Sequence, residues 1–267
     1  MNKHPETEEH PETVDHSKIH KYPGTAKYDA GWIQENWMGP NPLLLLEELC
    51  EHLCLKSGMK VLDMGCGKGL TSIFLAKEYG VTVFANDLWI DATDNLRRFE
   101  EAGVADRVFP IHAEAHALPY AKGFFNVAIA VDCYHYFGAS ENYFVDVFSK
   151  LVKPGGQFGI VVPGLSREFE KGYPETLEKL WIPEYYTFHS SHWWRALWEK
   201  TGLCEITASY AMKDSRALWQ QWADWSVVNF KRLFGDVEDA DTDMKLLEAD
   251  TDNDLSLIVM AAVKKRH

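Results

Sequence analysis

The chain has 267 residues, 46% of them hydrophobic and 25% charged, which suits one large α/β domain with an ordinary core. A formal net charge of −13 excludes the basic stripe that follows nucleic-acid phosphates or an anionic membrane surface. The five cysteines (Cys50, Cys54, Cys66, Cys133 and Cys204) are odd in number, no secretory signal is read, and no apolar run would span a bilayer; together these point to a reducing cytoplasm rather than a disulfide framework.

Residues 1–20 carry His-Pro-Glu-Thr twice, from His4 and from His10, among polar residues. Such a stretch buries too little apolar surface to offset its ordering entropy, so a solvated tail is expected. The same composition outweighs a metal-binding reading of its histidines. Tyr22 to Pro40 then introduces Tyr22, Tyr28, Trp32 and Trp37, which could fold over a pocket as a lid. Asn41-Pro42 reads as an N-cap with proline at the first helical position, opening a helix over 43–55. Cys50 and Cys54 lie one turn apart on it, but only His52 is near, on the wrong face, so no metal site is expected.

From there strands and helices alternate: strand 59–64, helix 70–79, strand 81–85, helix 91–102, strand 107–111 and strand 127–131. A helix 140–151 and a Lys-Pro-Gly-Gly turn lead to strand 157–162. A helix-rich stretch over 174–201, strand 204–210, a helical stretch over 214–247 broken by the polar residues 236–243, and strand 255–263 complete the chain. The order predicts an α/β fold: a doubly wound, mostly parallel seven-stranded sheet with helices on both faces and helical cap insertions. By segment the expectation is a tail (1–20), a lid and helix (21–57), a Rossmann-like core (58–163), and the rest of the sheet with an aromatic cap (164–267).

The most informative segment is Val61-Leu62-Asp63-Met64-Gly65-Cys66-Gly67-Lys68-Gly69, which joins a buried strand to a helix through three glycines. Glycine accepts φ > 0 and lets a ligand approach bare backbone. Asp87 follows about 20 residues later at the end of the next strand, where a doubly wound fold places a carboxylate for ribose hydroxyls. A capping role ahead of Asp91 is its structural alternative. Glu114, after the third strand, could accept from an exocyclic amine. A nicotinamide-dinucleotide site would favour G-x-G-x-x-G, whereas the spacing here is G-x-G-x-G.

Five marks in order are the glycine loop, Asp87, Ala117-Leu118-Pro119-Tyr120, Asp132-Cys133-Tyr134-His135-Tyr136, and Leu151-Val152-Lys153-Pro154-Gly155-Gly156. On them, residues 43–163 resemble class I S-adenosylmethionine-dependent methyltransferases, in the small-molecule group that includes quinone and phosphoethanolamine methyltransferases. The resemblance implies S-adenosylmethionine as cofactor, held by Asp63, Gly65, Cys66, Gly67, Gly69, Asp87, Leu88, Glu114, Ala115 and Asp132. Within that set, Gly65 and Gly67 would lie against the methionine portion, Asp87 on the ribose, Leu88 on the adenine, and Glu114 in the family's usual aspartate position. Asp63 is either a polar contact near the ligand or a support of the loop.

His135 is the candidate catalytic group, as base or as positioner, since an unperturbed imidazole titrates near 6.5. Tyr28, Trp32, Tyr134, Trp193 and Trp194 are the candidate substrate wall. Trp219, Trp222 and Trp225 stand at helical spacing and read first as a core stripe. The activity implied is in-line methyl transfer to N, O, S or C of a small-molecule acceptor, with no nucleic acid, no membrane and room for a homo-oligomer. A non-catalytic S-adenosylmethionine-binding sensor or scaffold is the alternative.

Overall fold

A computed structural model describes residues 21–140, 142–234 and 241–266. The expected tail and its histidines fall outside these. Seven strands form one sheet: β1 (Lys60–Met64), β2 (Thr82–Asp87), β3 (Val108–His112), β4 (Phe125–Val131), β5 (Val152–Leu165), β6 (Cys204–Ala211) and β7 (Leu255–Lys264). Their order is β3-β2-β1-β4-β5-β7-β6, and only β7 runs antiparallel to its neighbours. The doubly wound, mostly parallel arrangement read from the sequence is therefore the fold.

Side-chain parity explains the two layers. Along β1 and β4, Val61, Val127, Ile129 and Val131 face one core, and Leu62, Met64, Ala128 and Ala130 face the other. Successive residues of a strand point to opposite faces, so a continuous apolar run marks a strand buried on both. The first core takes α1 (Ala30–Asn36), α2 (Pro42–Cys50), α3 (Leu70–Tyr79), α4 (Ala92–Glu101), α9 (Ser215–Phe234) and α10 (Thr242–Ala249), all numbered in chain order. The second is aromatic: Tyr134, Phe144, Phe148 and Phe158 surround Trp198 of α8 (Ser191–Glu199).

Several boundaries differ from those expected. α2 stops at Cys50, where the chain turns and its next residues bond across: Cys54 N donates to Gln157 Oε1 at 2.8 Å, and His52 Nε2 meets the Tyr210 hydroxyl at 2.9 Å. The helix expected over 140–151 is a π-helical turn (Phe144–Phe148) running into α6 (Ser149–Leu151), and a separate short helix, α5 (His135–Gly138), precedes it. The Lys-Pro-Gly-Gly turn is absorbed into the long β5, with a register break opposite Phe125 and Val127. Residues 174–201 are less helical than expected: the short α7 (Glu175–Glu178), a 3-10 turn (Pro183–Thr187) and α8.

The N-terminal segment is tied down by two carboxylates of α2. Glu47 accepts from the backbone N–H of Gly24 and Thr25, both at 2.7 Å. Buried Glu48 accepts from the hydroxyls of Tyr22 and Tyr210 and pairs with Lys21. Burial raises the Glu48 carboxyl, but those three donors outweigh it and hold it below its ordinary value. This anchoring carries residues 36–42 over the carboxyl edge of the sheet.

Candidate active site

A cavity of about 580 Å³ opens where the strand order reverses between β1 and β4, the crevice in which open α/β sheets bind ligands. Its first wall is the β1–α3 loop. Gly65, Gly67 and Gly69 all have positive φ (66°, 54° and 83°). Cβ atoms at Gly65 and Gly69 would lie 2.5 Å from Cys133 Sγ and 2.4 Å from the Phe99 ring. The loop is held from outside: Cys66 N donates to Asn86 O at 3.0 Å, Asn95 Nδ2 to Gly67 O at 2.8 Å, and Lys68 Nζ to Glu35 O at 2.9 Å.

Asp87 ends β2, only 7% exposed, and joins two turns. Its Oδ2 accepts from Gly67 N at 2.7 Å, and its Oδ1 accepts from Trp89 N and Ile90 N at 2.8 and 2.9 Å. A carboxylate has about four acceptor positions, so these three donors leave one unused on a residue that lines the cavity. Exposed Leu88 stands beside it on the same wall. Glu114 and Ala115 follow; the Glu114 carboxylate accepts from the backbone and ring of His116, and that ring bond holds it below its ordinary value.

Asp63 does not reach the cavity. Fully buried, its Oδ2 accepts from Thr71 Oγ1 and Ser72 Oγ, both at 2.6 Å, and so fastens the first turn of α3 to β1. Burial pushes its carboxyl up to about 6. Gly69 also stands back from the wall, as the left-handed N-cap of α3.

The end of β4 supplies the opposite wall. Asp132 is left-handed (φ 59°), with its N–H donated to Val161 O at 2.7 Å. Among the described residues no donor reaches its carboxylate, which packs so closely on Gly39 that a Cβ there would lie 1.9 Å away. Desolvation, and then the charge of Asp243, push it well above the usual carboxylate range. His135 lies against Tyr136 and Phe188, 4% exposed, with Nδ1 unpartnered. Burial lowers its imidazole to about 3, so it is neutral near pH 7 rather than poised at 6.5.

None of the five aromatic residues expected to line the substrate side does so. Tyr28 and Trp32 stack on one another, Tyr28 also packs on Phe74, and its hydroxyl donates to Glu78. Tyr134 and Trp194 are fully buried in the second core, where aromatic neighbours fill the space around them. Trp193 stacks on His189 with ring centroids 3.7 Å apart. Amphipathic spacing reveals that a ring is buried, not which of two cores takes it. The walls come instead from Met38, Gly39 and Pro40 of the N-terminal segment, Tyr185 of the 3-10 turn and Phe188 just after it, and Trp219 and Trp222 of α9. Both indoles donate to the Asp243 carboxylate, at 3.0 and 2.7 Å. The Trp219/Trp222 spacing was visible in the sequence. Asp243 was not, standing at the end of a polar run that reads as an interruption.

Residues 61–156 match a family described as a methyltransferase domain. The matched segment is about a third of the chain. It contains the glycine loop, Asp87, Asp132 and His135. A methyltransferase of Streptomyces halstedii, GfsG, is 31% identical over 117 residues, covering 43% of this chain and 42% of that protein, so the match spans about two fifths of the relative. Two solved structures share the fold beyond the domain. The cyclase SpnF has a TM-score of 0.68 at 16% identity, covering 87% of this chain and 84% of that one. A phosphoethanolamine N-methyltransferase of Haemonchus contortus has a TM-score of 0.68 at 19% identity, covering 93% and 59%. Among the described residues no helix is long and apolar enough to cross a membrane.

Proposed function

We propose that the chain is an S-adenosylmethionine-dependent methyltransferase acting on a small molecule. In this reading residues 58–163 hold the cofactor, 21–57 cover it, and 164–267 finish the sheet and furnish the acceptor wall. The observation that carries it is the pairing of a side-chain-free glycine turn with the Asp87 carboxylate across one cavity at the strand-order reversal. The residues fit the group: bare backbone at Gly65 and Gly67 for the methionine portion, the open Asp87 position for a ribose hydroxyl, and exposed Leu88 for the adenine face. Glu114 and Ala115 stand at the adenine edge, with Cys66 behind the loop and Asp132 facing the transferred group. The strong negative charge and the free cysteines favour a cytoplasmic small-molecule enzyme over one acting on nucleic acid.

Bound there, S-adenosylmethionine supplies a methyl carbon on a sulfonium, whose leaving thioether needs no protonation. The chain's own work is then alignment and exclusion of water, for which orientation can supply about 7–11 kcal/mol. Met38, Gly39 and Pro40 close the side that a doubly wound core leaves open. His135, held neutral by burial, offers a hydrogen-bonding nitrogen that positions an acceptor.

Incubation with methyl-labelled S-adenosylmethionine and an acceptor panel tests the proposal. Acceptor-dependent S-adenosylhomocysteine is expected. Binding of the donor without any turnover would indicate the sensor or scaffold reading instead. Asp87→Ala is expected to abolish donor binding by calorimetry while the protein still melts cooperatively.

A further inference from the structure

The acceptor end of the cavity has an uneven charge. Asp132, Glu184 and Asp243 line it together with Tyr136, Tyr185, Phe188, Trp219 and Trp222. Lys68 is the one lysine or arginine in the lining among the described residues, and its ammonium donates to the Glu35 carbonyl. Asp243 is fixed in place by two indole N–H donors, and its charge is felt by both Asp132 and Tyr136. Buried His135, whose Nδ1 has no hydrogen-bond partner, is among the residues around the same cavity.

We propose that this end of the cavity takes an amine that arrives as an ammonium ion, with Asp132, Asp243 and Glu184 as its counter-charge and Trp219, Trp222, Tyr136 and Phe188 as its walls. The inference rests on the methyl-transfer reading and names its substrate class. A phosphate- or carboxylate-bearing acceptor would call for the arginine or lysine fork that the wall lacks. An uncharged acceptor would leave the Asp132 and Asp243 carboxylates repelling one another, with hydrogen-bond donors on Asp243 alone. An ammonium ion relieves both, and the aromatic faces add cation–π attraction of about 0.5–2 kcal/mol.

The chemistry balances. The ammonium N–H gives its proton to the Asp132 carboxylate, which frees the nitrogen lone pair. That pair forms the N–C bond to the methyl carbon as the C–S bond breaks, and the C–S electrons stay on sulfur as a neutral thioether. The positive charge ends on the methylated nitrogen, and Asp132 returns its proton to solvent. Burial and the neighbouring Asp243 raise the basicity of Asp132 in the direction this step needs.

The test is binding to the protein saturated with S-adenosylhomocysteine, read by calorimetry and by quenching of indole fluorescence. The probes are benzyltrimethylammonium, its uncharged isostere neopentylbenzene, and phenylacetate. The ammonium is expected to bind at least about tenfold more tightly than the isostere, and phenylacetate more weakly than either. Asp243→Asn should remove most of that preference. Glu184→Gln, at an exposed position that leaves the indole contacts intact, should reduce it severalfold. Equal or tighter binding of the uncharged or anionic probe, no binding of the ammonium, or an unchanged preference in both variants would overturn the proposal. Titration with S-adenosylhomocysteine alone separates the two readings: if it does not bind and the ammonium does, the donor assignment fails and the cation site stands.

Discussion

His135 shows how burial redirects a side chain whose ordinary chemistry suggests another role. Its native imidazole titrates near 3 rather than near 6.5, because the charged form is desolvated. Stability from this group is therefore present above about pH 6.5 and declines as pH falls toward 3. The pH–rate profile is expected to show no inflection near 6.5 that depends on His135. His135→Gln should change KM more than kcat, as measured by S-adenosylhomocysteine release between pH 5 and 9. A loss of about 10²–10⁴-fold in kcat would instead mark a general base. Asp63 has the opposite sign. Its native carboxyl sits at about 6, above the unfolded value, so its contribution is full below about pH 4 and is lost as pH rises through 6. Asp63→Asn should flatten the pH dependence of urea stability across that window by an amount on the order of 3 kcal/mol. Neither behaviour could be read from the sequence: residue type gives the reference pKa, and only packing gives the shift.

At the scale of elements, the sequence reveals what depends on local rules. The glycine loop and the Asn41-Pro42 start of α2 stand where spacing and capping chemistry put them, and Asp91, read as the first residue of its helix, is instead the N-cap of α4 through its bond from Thr93 N. The π-helical turn at Phe144–Phe148 was not legible. Its two end residues, Phe144 and Phe148, both pack on Trp198, which lies on a helix some fifty residues further on. The glycine loop offers a controlled comparison. Gly69 and Gly103 are both left-handed, at φ 83° and 69°, but a Cβ at Gly69 meets the Phe99 ring at 2.4 Å while one at Gly103 meets nothing within 4 Å. Gly103→Ala should cost only the backbone strain, about 1 kcal/mol. Gly69→Ala should cost about 1–3 kcal/mol more, from forcing a methyl group into packed space. Urea denaturation of the two variants measures the difference, and equal losses would mean that Phe99 yields without penalty.

Across the whole molecule, segments far apart in the chain meet over one cavity, and this is the level least visible in sequence. Helical spacing predicts that the α9 tryptophans are buried, and Trp37 reads as part of a lid; neither predicts that they pack on one another. Trp37 is fully buried, edge-on to both Trp222 and Trp225 at centroid distances of 5.9 and 5.4 Å. The next three residues, Met38 to Pro40, line the cavity, so the anchor and the cover are contiguous. Trp37→Ala should therefore have two linked effects. Removing a buried indole costs about 3–5 kcal/mol of stability, and the unseated cover should weaken donor binding. Ligand-induced stabilisation reports the second separately from the first, because a ligand at 100 times its Kd adds about 2.7 kcal/mol whatever the starting stability. With S-adenosylhomocysteine fixed at 100 times the wild-type Kd, the wild-type protein should gain that amount. Trp37→Ala should gain clearly less, with Trp37→Phe in between. A variant that loses stability and keeps the full ligand-induced gain would show that the packing of Trp37 serves the fold alone and that the cover over the cavity is seated by other contacts.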